Sequence, residues 1–135
     1  MAINFGVNYL AVIVAAIAAV LVGIVYYGLA GFGERLARIN RQTPRSGPPS
    51  PKELAIGVVV ALLNAGVLAV LSLNLGGSSV ADALLLGILV WVGFQGTLKA
   101  AQVAFESRSW SAWALTGVHD LIIQVVMAAI VTIWR

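Results

Sequence analysis

The fold of this chain is decided by its first long apolar stretch, residues 7–30, which reads VNYLAVIVAAIAAVLVGIVYYGLA. The stretch contains no charged residue and no proline. A helix needs ~20 apolar residues to cross the ~30 Å hydrocarbon core of a bilayer, and this stretch is longer than that. It therefore predicts a transmembrane helix.

Three further apolar stretches follow, at residues 54–75, 83–105 and 113–134. All four prolines lie between the first and second stretches, so none of the four is interrupted. The whole chain is 61% apolar and 10% charged, whereas a water-soluble domain has roughly a quarter of its residues charged. We therefore expect residues 1–135 to form a single domain, an all-α integral membrane four-helix bundle.

Lysine and arginine are distributed unevenly between the connecting segments. Loop 31–53 contains five of the eight, and Arg108 and Lys99 lie near the connection between the third and fourth helices. Only Arg135 falls on the other side. The positive-inside rule then predicts that loop 31–53 is cytoplasmic and that both termini are non-cytoplasmic. We expect a multi-pass protein of a bacterial inner membrane.

The basic loop has two parts with different patterns. Its first part, GERLARINR, spaces Leu36 and Ile39 three residues apart and predicts a short amphipathic helix on the membrane surface. Its arginines, Arg35, Arg38 and Arg41, are expected to lie near anionic headgroups of the lipid bilayer. Residues 43–51, TPRSGPPSP, predict an extended proline-rich linker.

Several polar residues lie inside the predicted spans, where an ionisable side chain is costly and suggests function. The third and fourth helices form a hairpin whose turn is near Ser109. Lys99 precedes that turn by ten residues, and His119 and Asp120 follow it by ten and eleven, so we expect all three at one depth. The complete candidate layer comprises Lys99, His119, Asp120, Gln95, Gln124, Asn64, Tyr26 and Tyr27.

Helical spacing predicts which of these side chains meet. Gln95 and Lys99 lie four residues apart on the third helix, as Asp120 and Gln124 do on the fourth. We expect a Lys99–Asp120 ion pair with Gln95 and Gln124 hydrogen-bonded beside it. His119 is ~100° around the helix from Asp120 and should point towards another helix or a subunit boundary. Tyr26 or Tyr27 is its expected partner.

Three roles for this polar layer are consistent with the sequence. It can fix helix packing, as polar residues do in membrane bundles. It can line a ligand- or proton-handling pocket. His119 can also be an axial ligand to a haem or chlorophyll-type cofactor, although a single histidine then requires symmetry or a five-coordinate metal.

Other classes of function lack the residues that they need. The chain has no cysteine, which excludes disulfides and thiolate chemistry. It has no G-x-S-x-G, H-E-x-x-H or phosphate-binding glycine loop, so we predict no catalytic residue and no metal site. The basic charge is explained by topology, and no nucleic-acid partner is expected.

Three segments resemble a family of small four-span membrane proteins of bacteria and fungi, domain-of-unknown-function family seventeen sixty-one. They are NYLAVIVAAIAAVLVGIVYYGLAGFG, GILVWVGFQGT and GVHDLIIQVVMAAIVTIW. The resemblance is weaker across the second helix and the linker, and Tyr26 stands where the family tends to have tryptophan. The positions that resemble the family are Asn8, Tyr27, Phe32, Gly33, Gly93, Phe94, His119 and Trp134. The resemblance implies four spans and no stated activity.

The functional prediction is a non-enzymatic membrane protein, an accessory or structural component of a homo-oligomer or of a larger complex with other membrane subunits. One alternative is a small oligomeric transporter or channel whose Lys99, His119 and Asp120 line the pathway. The other alternative is a cofactor protein that uses His119.

Overall fold

The computed structural model describes residues 1–45 and 47–135, and Ser46 of the predicted linker lies outside the described residues. All of the regular structure in these residues is helical, which confirms the predicted all-α class. The helices are α1 (Tyr9–Gly23), α2 (Phe32–Ile39), α3 (Pro51–Asn74), α4 (Val80–Val90), α5 (Thr97–Glu106) and α6 (Trp110–Ile133). π-Helical turns at Ile24–Leu29 and Trp91–Gly96 extend α1 and join α4 to α5.

Four stretches are long and apolar enough to cross a membrane, namely Tyr9–Leu29, Pro51–Asn74, Val80–Glu106 and Trp110–Ile133. We call them the first to fourth spans. The second, third and fourth each begin three residues earlier than predicted. Each of these spans begins directly after a serine, Ser50, Ser79 or Ser109, whose side chain accepts backbone hydrogen bonds as an N-cap. The predicted bounds followed the apolar stretches, which start later than these caps. The short helix α2 lies between the first two spans, as predicted.

The fourth span is the centre of the bundle. Helix α6 packs against α1, α3 and α4, and α3 also packs against α1. The core between α1, α3 and α6 is built mostly from alanine, with Leu68, Met127 and Val131 as its larger members. Small residues let helices approach closely, and in lipid this close packing replaces the hydrophobic effect as the source of association.

At one end of the bundle, which we call the α2 end, the chain folds back sharply after the first span. Helix α2 packs against the π-helical turn of that span and against α6. A Cβ atom at Gly33 would lie 2.5 Å from the carbonyl oxygen of Tyr27, so only glycine permits this approach. Phe32 stacks on Tyr26 with ring centroids 4.5 Å apart. These contacts fix α2 beside the predicted polar layer.

The closest approach of α4 to α6 depends on Gly87. A Cβ atom there would lie 2.9 Å from the Cα atom of Val125 and 3.2 Å from the carbonyl oxygen of Gln124. We therefore expect Gly87→Ala to force the two helices apart and to lower stability by about 1–2 kcal/mol, measured as a lower melting temperature in detergent. Gly57→Ala is the matched control, because Gly57 faces open space on α3. Equal melting temperatures for the two variants would contradict this account of the packing.

Candidate functional site

The three ionisable side chains predicted at one depth are neighbours in the structure. The ammonium group of Lys99 on α5 forms an ion pair with the carboxylate of Asp120 on α6. The other carboxylate oxygen of Asp120 lies 3.0 Å from Nδ1 of His119. One carboxylate therefore joins both groups, and the side chain of Asp120 is only 17% exposed. The contact between His119 and its own chain neighbour was not predicted.

The second part of the layer is a cluster of three amides. Gln124 of α6 is fully buried, and its Nε2 donates to the Oδ1 of Asn64 on α3 over 3.1 Å. The Oε1 of Gln124 accepts from Asn64 over 2.9 Å and from Gln95 over 3.0 Å. Gln124 thereby links the second, third and fourth spans. The structure thus places Gln95, Gln124 and Asn64 at one level, as their positions in the sequence suggest.

His119 points from α6 towards the first span. Its ring lies 4.7 Å from the ring of Tyr27 and 5.3 Å from that of Tyr26, measured between centroids. Neither tyrosine is its hydrogen-bond partner: the hydroxyl of Tyr26 donates to the carbonyl oxygen of Leu115 over 2.6 Å. The Nε2 of His119 is buried and has no hydrogen-bond partner among the described residues. Among the described residues, the indole nitrogen of Trp91 in the third span is the other buried side-chain atom that lacks a hydrogen-bond partner.

The surroundings of His119 bear on the cofactor alternative. Its Nε2 faces α1 closely, since a Cβ atom at Gly23 would lie only 3.4 Å away. A haem or chlorophyll-type ring needs a planar gap beside the ligating nitrogen, and α1 packs into that place. His119 fits an axial-ligand role only if α1 moves away from it. The cofactor alternative stays a prediction, and visible absorbance of the purified protein would test it.

Lys99 lies at the border between the buried layer and an open cleft. The cleft has a volume of about 760 Å³ and opens at the α2 end, between α2 on one side and α5 with the start of α6 on the other. Lys99 is the deepest polar residue of its α5 and α6 lining, because it lies farther along the helix from the hairpin turn at Ser109 than Gln102 and Thr116 do. The side chain of Lys99 is 33% exposed. Solvent or a lipid headgroup can therefore approach the layer from this end.

Some residues that hold the site were not found from the sequence. Ser72 and Thr132 form a buried hydroxyl pair, 2.8 Å apart, which joins α3 to α6 near the other end of the bundle. Each lies eight residues beyond a residue of the amide cluster, Ser72 beyond Asn64 and Thr132 beyond Gln124, so matching of depths could have detected the pair. Trp113 donates from its indole nitrogen to the carbonyl oxygen of Gly96 over 3.1 Å. Nothing in the sequence signals the π-helical turn that places this carbonyl.

The ion pair makes Asp120→Asn an informative substitution. It keeps the shape of the side chain but leaves the ammonium of Lys99 without its countercharge. We expect a loss of about 1–3 kcal/mol in stability, less than the ~3–5 kcal/mol of a fully buried pair, because Lys99 faces the cleft. Thermal melting in detergent measures it. Glu106→Gln on α5, which breaks an exposed pair with Arg108, should leave the melting temperature unchanged. An unaltered melting profile for Asp120→Asn would rule out a stabilising ion pair.

A comparison with protein-family models gives a match to most of this chain. The model of the family described as "Protein of unknown function (DUF1761)" matches residues 10–132. No curated protein and no solved structure matches the chain. The match includes all four spans except Tyr9 at the start of the first and Ile133 at the end of the fourth, and it includes the polar layer. The chain therefore belongs to the DUF1761 family, as its sequence resemblance suggested.

Proposed function

We propose that this multi-pass membrane protein is non-enzymatic and acts as an accessory or structural component of a homo-oligomer or of a larger membrane complex. The observation that carries the proposal is the closure of the polar layer within one chain. Lys99 pairs with Asp120, and Gln124 bonds to both Gln95 and Asn64. These groups are engaged in holding helices together, which is the role that such residues commonly have in membrane bundles. An inner-membrane location with cytoplasmic α2 is part of the proposal, on the distribution of basic residues.

The outward faces of the bundle support an assembly. Large apolar side chains are exposed on every span, including Ile17, Leu63 and Leu89. Between them lie glycines that have no heavy atom within 4 Å of a Cβ position, among them Gly57 on α3 and Gly93 in the third span. Exposed glycine lets the backbone of another helix approach closely, as it does where membrane helices associate. The same faces also suit contact with lipid tails, so assembly needs a direct test.

The absence of cysteine from the chain makes a cross-linking test clean. We expect Gly57→Cys, examined in native membranes under mild oxidation, to form a disulfide-linked species of twice the 14.1 kDa chain mass. Ala65→Cys is the matched control on the same helix, because Ala65 is fully buried and should remain monomeric. If single cysteines at every outward-facing position of the four spans stay monomeric, the homo-oligomer is wrong.

A small transporter or channel is the second candidate, and one specific observation favours it. The open cleft leads to Lys99, and Asp120 and His119 follow behind it, so three ionisable groups continue from an open surface into the bundle. This candidate predicts a pH-dependent ion flux in proteoliposomes that His119→Ala abolishes. Ser111→Ala, which alters an exposed residue of α6 outside the cleft lining, should leave the flux unchanged. Absence of flux for protons and common ions would count against a pathway.

A further inference from the structure

The cleft at the α2 end differs from the buried layer, with which it shares Lys99, in the charge of its lining. Its polar lining consists of donors and hydroxyl or amide groups, and three of its residues are cationic: Arg41, Lys99 and Arg108. No carboxylate belongs to the described lining. Lys99 and Arg108 pair with carboxylates that lie outside the lining, Asp120 and Glu106, whereas Arg41 has no such partner among the described residues. A concave surface that is lined by cations and by no carboxylate favours an anionic ligand, and guanidinium groups match the oxygens of a phosphate particularly well.

Arg41 is the cation most available to such a ligand. It is exposed and forms no ion pair with any described residue. Arg108 pairs only with the exposed Glu106, over 2.9 Å, so it can exchange that partner at small cost. Arg41 and Ser107, both in the lining, have left-handed backbones with φ of 55° and 54°, and no other described residue except glycine does. The chain thus turns sharply at both rims of the cleft.

The cleft lining also contains apolar side chains, and these point to a lipid as the ligand. Leu36 and Ile39 contribute the apolar face of α2, and Val103 and Trp113 contribute apolar surface from α5 and α6. The cleft lies where the first, third and fourth spans meet their connecting segments, which is the level of the lipid headgroups if the spans cross a bilayer. A ligand in this cleft meets both cations and apolar side chains. A phospholipid has a charged part and an apolar part in one molecule.

We propose that the cleft binds the phosphate headgroup of an anionic membrane phospholipid, held by Arg41 and Arg108 with its acyl chains against the apolar lining. This site differs from the general attraction of the basic helix for an acidic membrane. Arg35 and Arg38 of α2 belong to that general attraction, because neither lines the cleft. The inference does not depend on the oligomer or transport proposals, since a single chain provides the whole lining.

Native mass spectrometry of the detergent-solubilised protein, titrated with phosphatidylglycerol, tests the site. We expect a one-to-one complex whose affinity falls at least about tenfold in the double variant Arg41→Gln/Arg108→Gln, because each substitution removes charge-assisted hydrogen bonds to the phosphate. Arg35→Gln/Arg38→Gln removes the same charge from outside the cleft and should change the affinity less than about threefold. Thermal melting of both double variants checks that each remains folded.

Two further measurements distinguish a lipid phosphate from free inorganic phosphate as the ligand. Phosphatidylcholine, which carries no net charge, should bind at least about tenfold more weakly than phosphatidylglycerol. Inorganic phosphate in excess should not displace the bound lipid, because it lacks the apolar part. Displacement by inorganic phosphate would overturn the lipid in favour of a soluble anion. Equal losses in the two double variants would overturn the cleft in favour of diffuse attraction.

Discussion

A hydrocarbon environment offers no hydrogen bonds, and this constraint explains the arrangement of the four spans. Every polar side chain that enters it needs a partner from another helix, or a large free-energy cost remains. Helix α6 brings both Asp120 and Gln124 into the bundle, and their partners come from two other helices. Because α6 needs neighbours on several sides, it lies in the centre. The alanine-rich contacts with α1 and α3 then fill the remaining space.

The same constraint divides the bundle along its length. In the middle, three amides satisfy one another and leave the helices tightly joined. Towards the α2 end the third span packs less closely, so Lys99 remains partly exposed and an open cleft separates α5 from α2. Polar groups are thus closed off at one level and accessible at the next. The proposed structural role of the layer and the proposed binding role of the cleft therefore concern different levels of one small chain.

The features that could be predicted from the sequence are the depths of residues in the spans, because depth follows from the number of residues along a helix. Lys99 lies ten residues before the hairpin turn at Ser109 and Asp120 lies eleven after it, so their depths nearly match whatever the side chains do. The bond between His119 and Asp120 depends on side-chain rotamers, which no spacing rule contains. The partner of Gln124 on α3 was placed only by level, because the rotation of a helix about its axis is set by packing. The cleft depends on how α2 folds back over the first span, and that follows from close contacts at Gly33.

The π-helical turn at Trp91–Gly96 has a consequence for how the third span is built. An α-helix advances by ~100° for each residue, and a π turn accommodates one residue more than an α turn does. Everything after Gly96 is therefore rotated relative to α4, and that rotation aims Lys99 at the fourth span. Deleting a single residue from this segment would rotate Lys99 by ~100° about the helix axis and so turn its ammonium group away from Asp120. The orientation of Lys99 in this span thus depends on the backbone geometry of the π-helical turn. A substitution that changes only a side chain would not produce the same rotation.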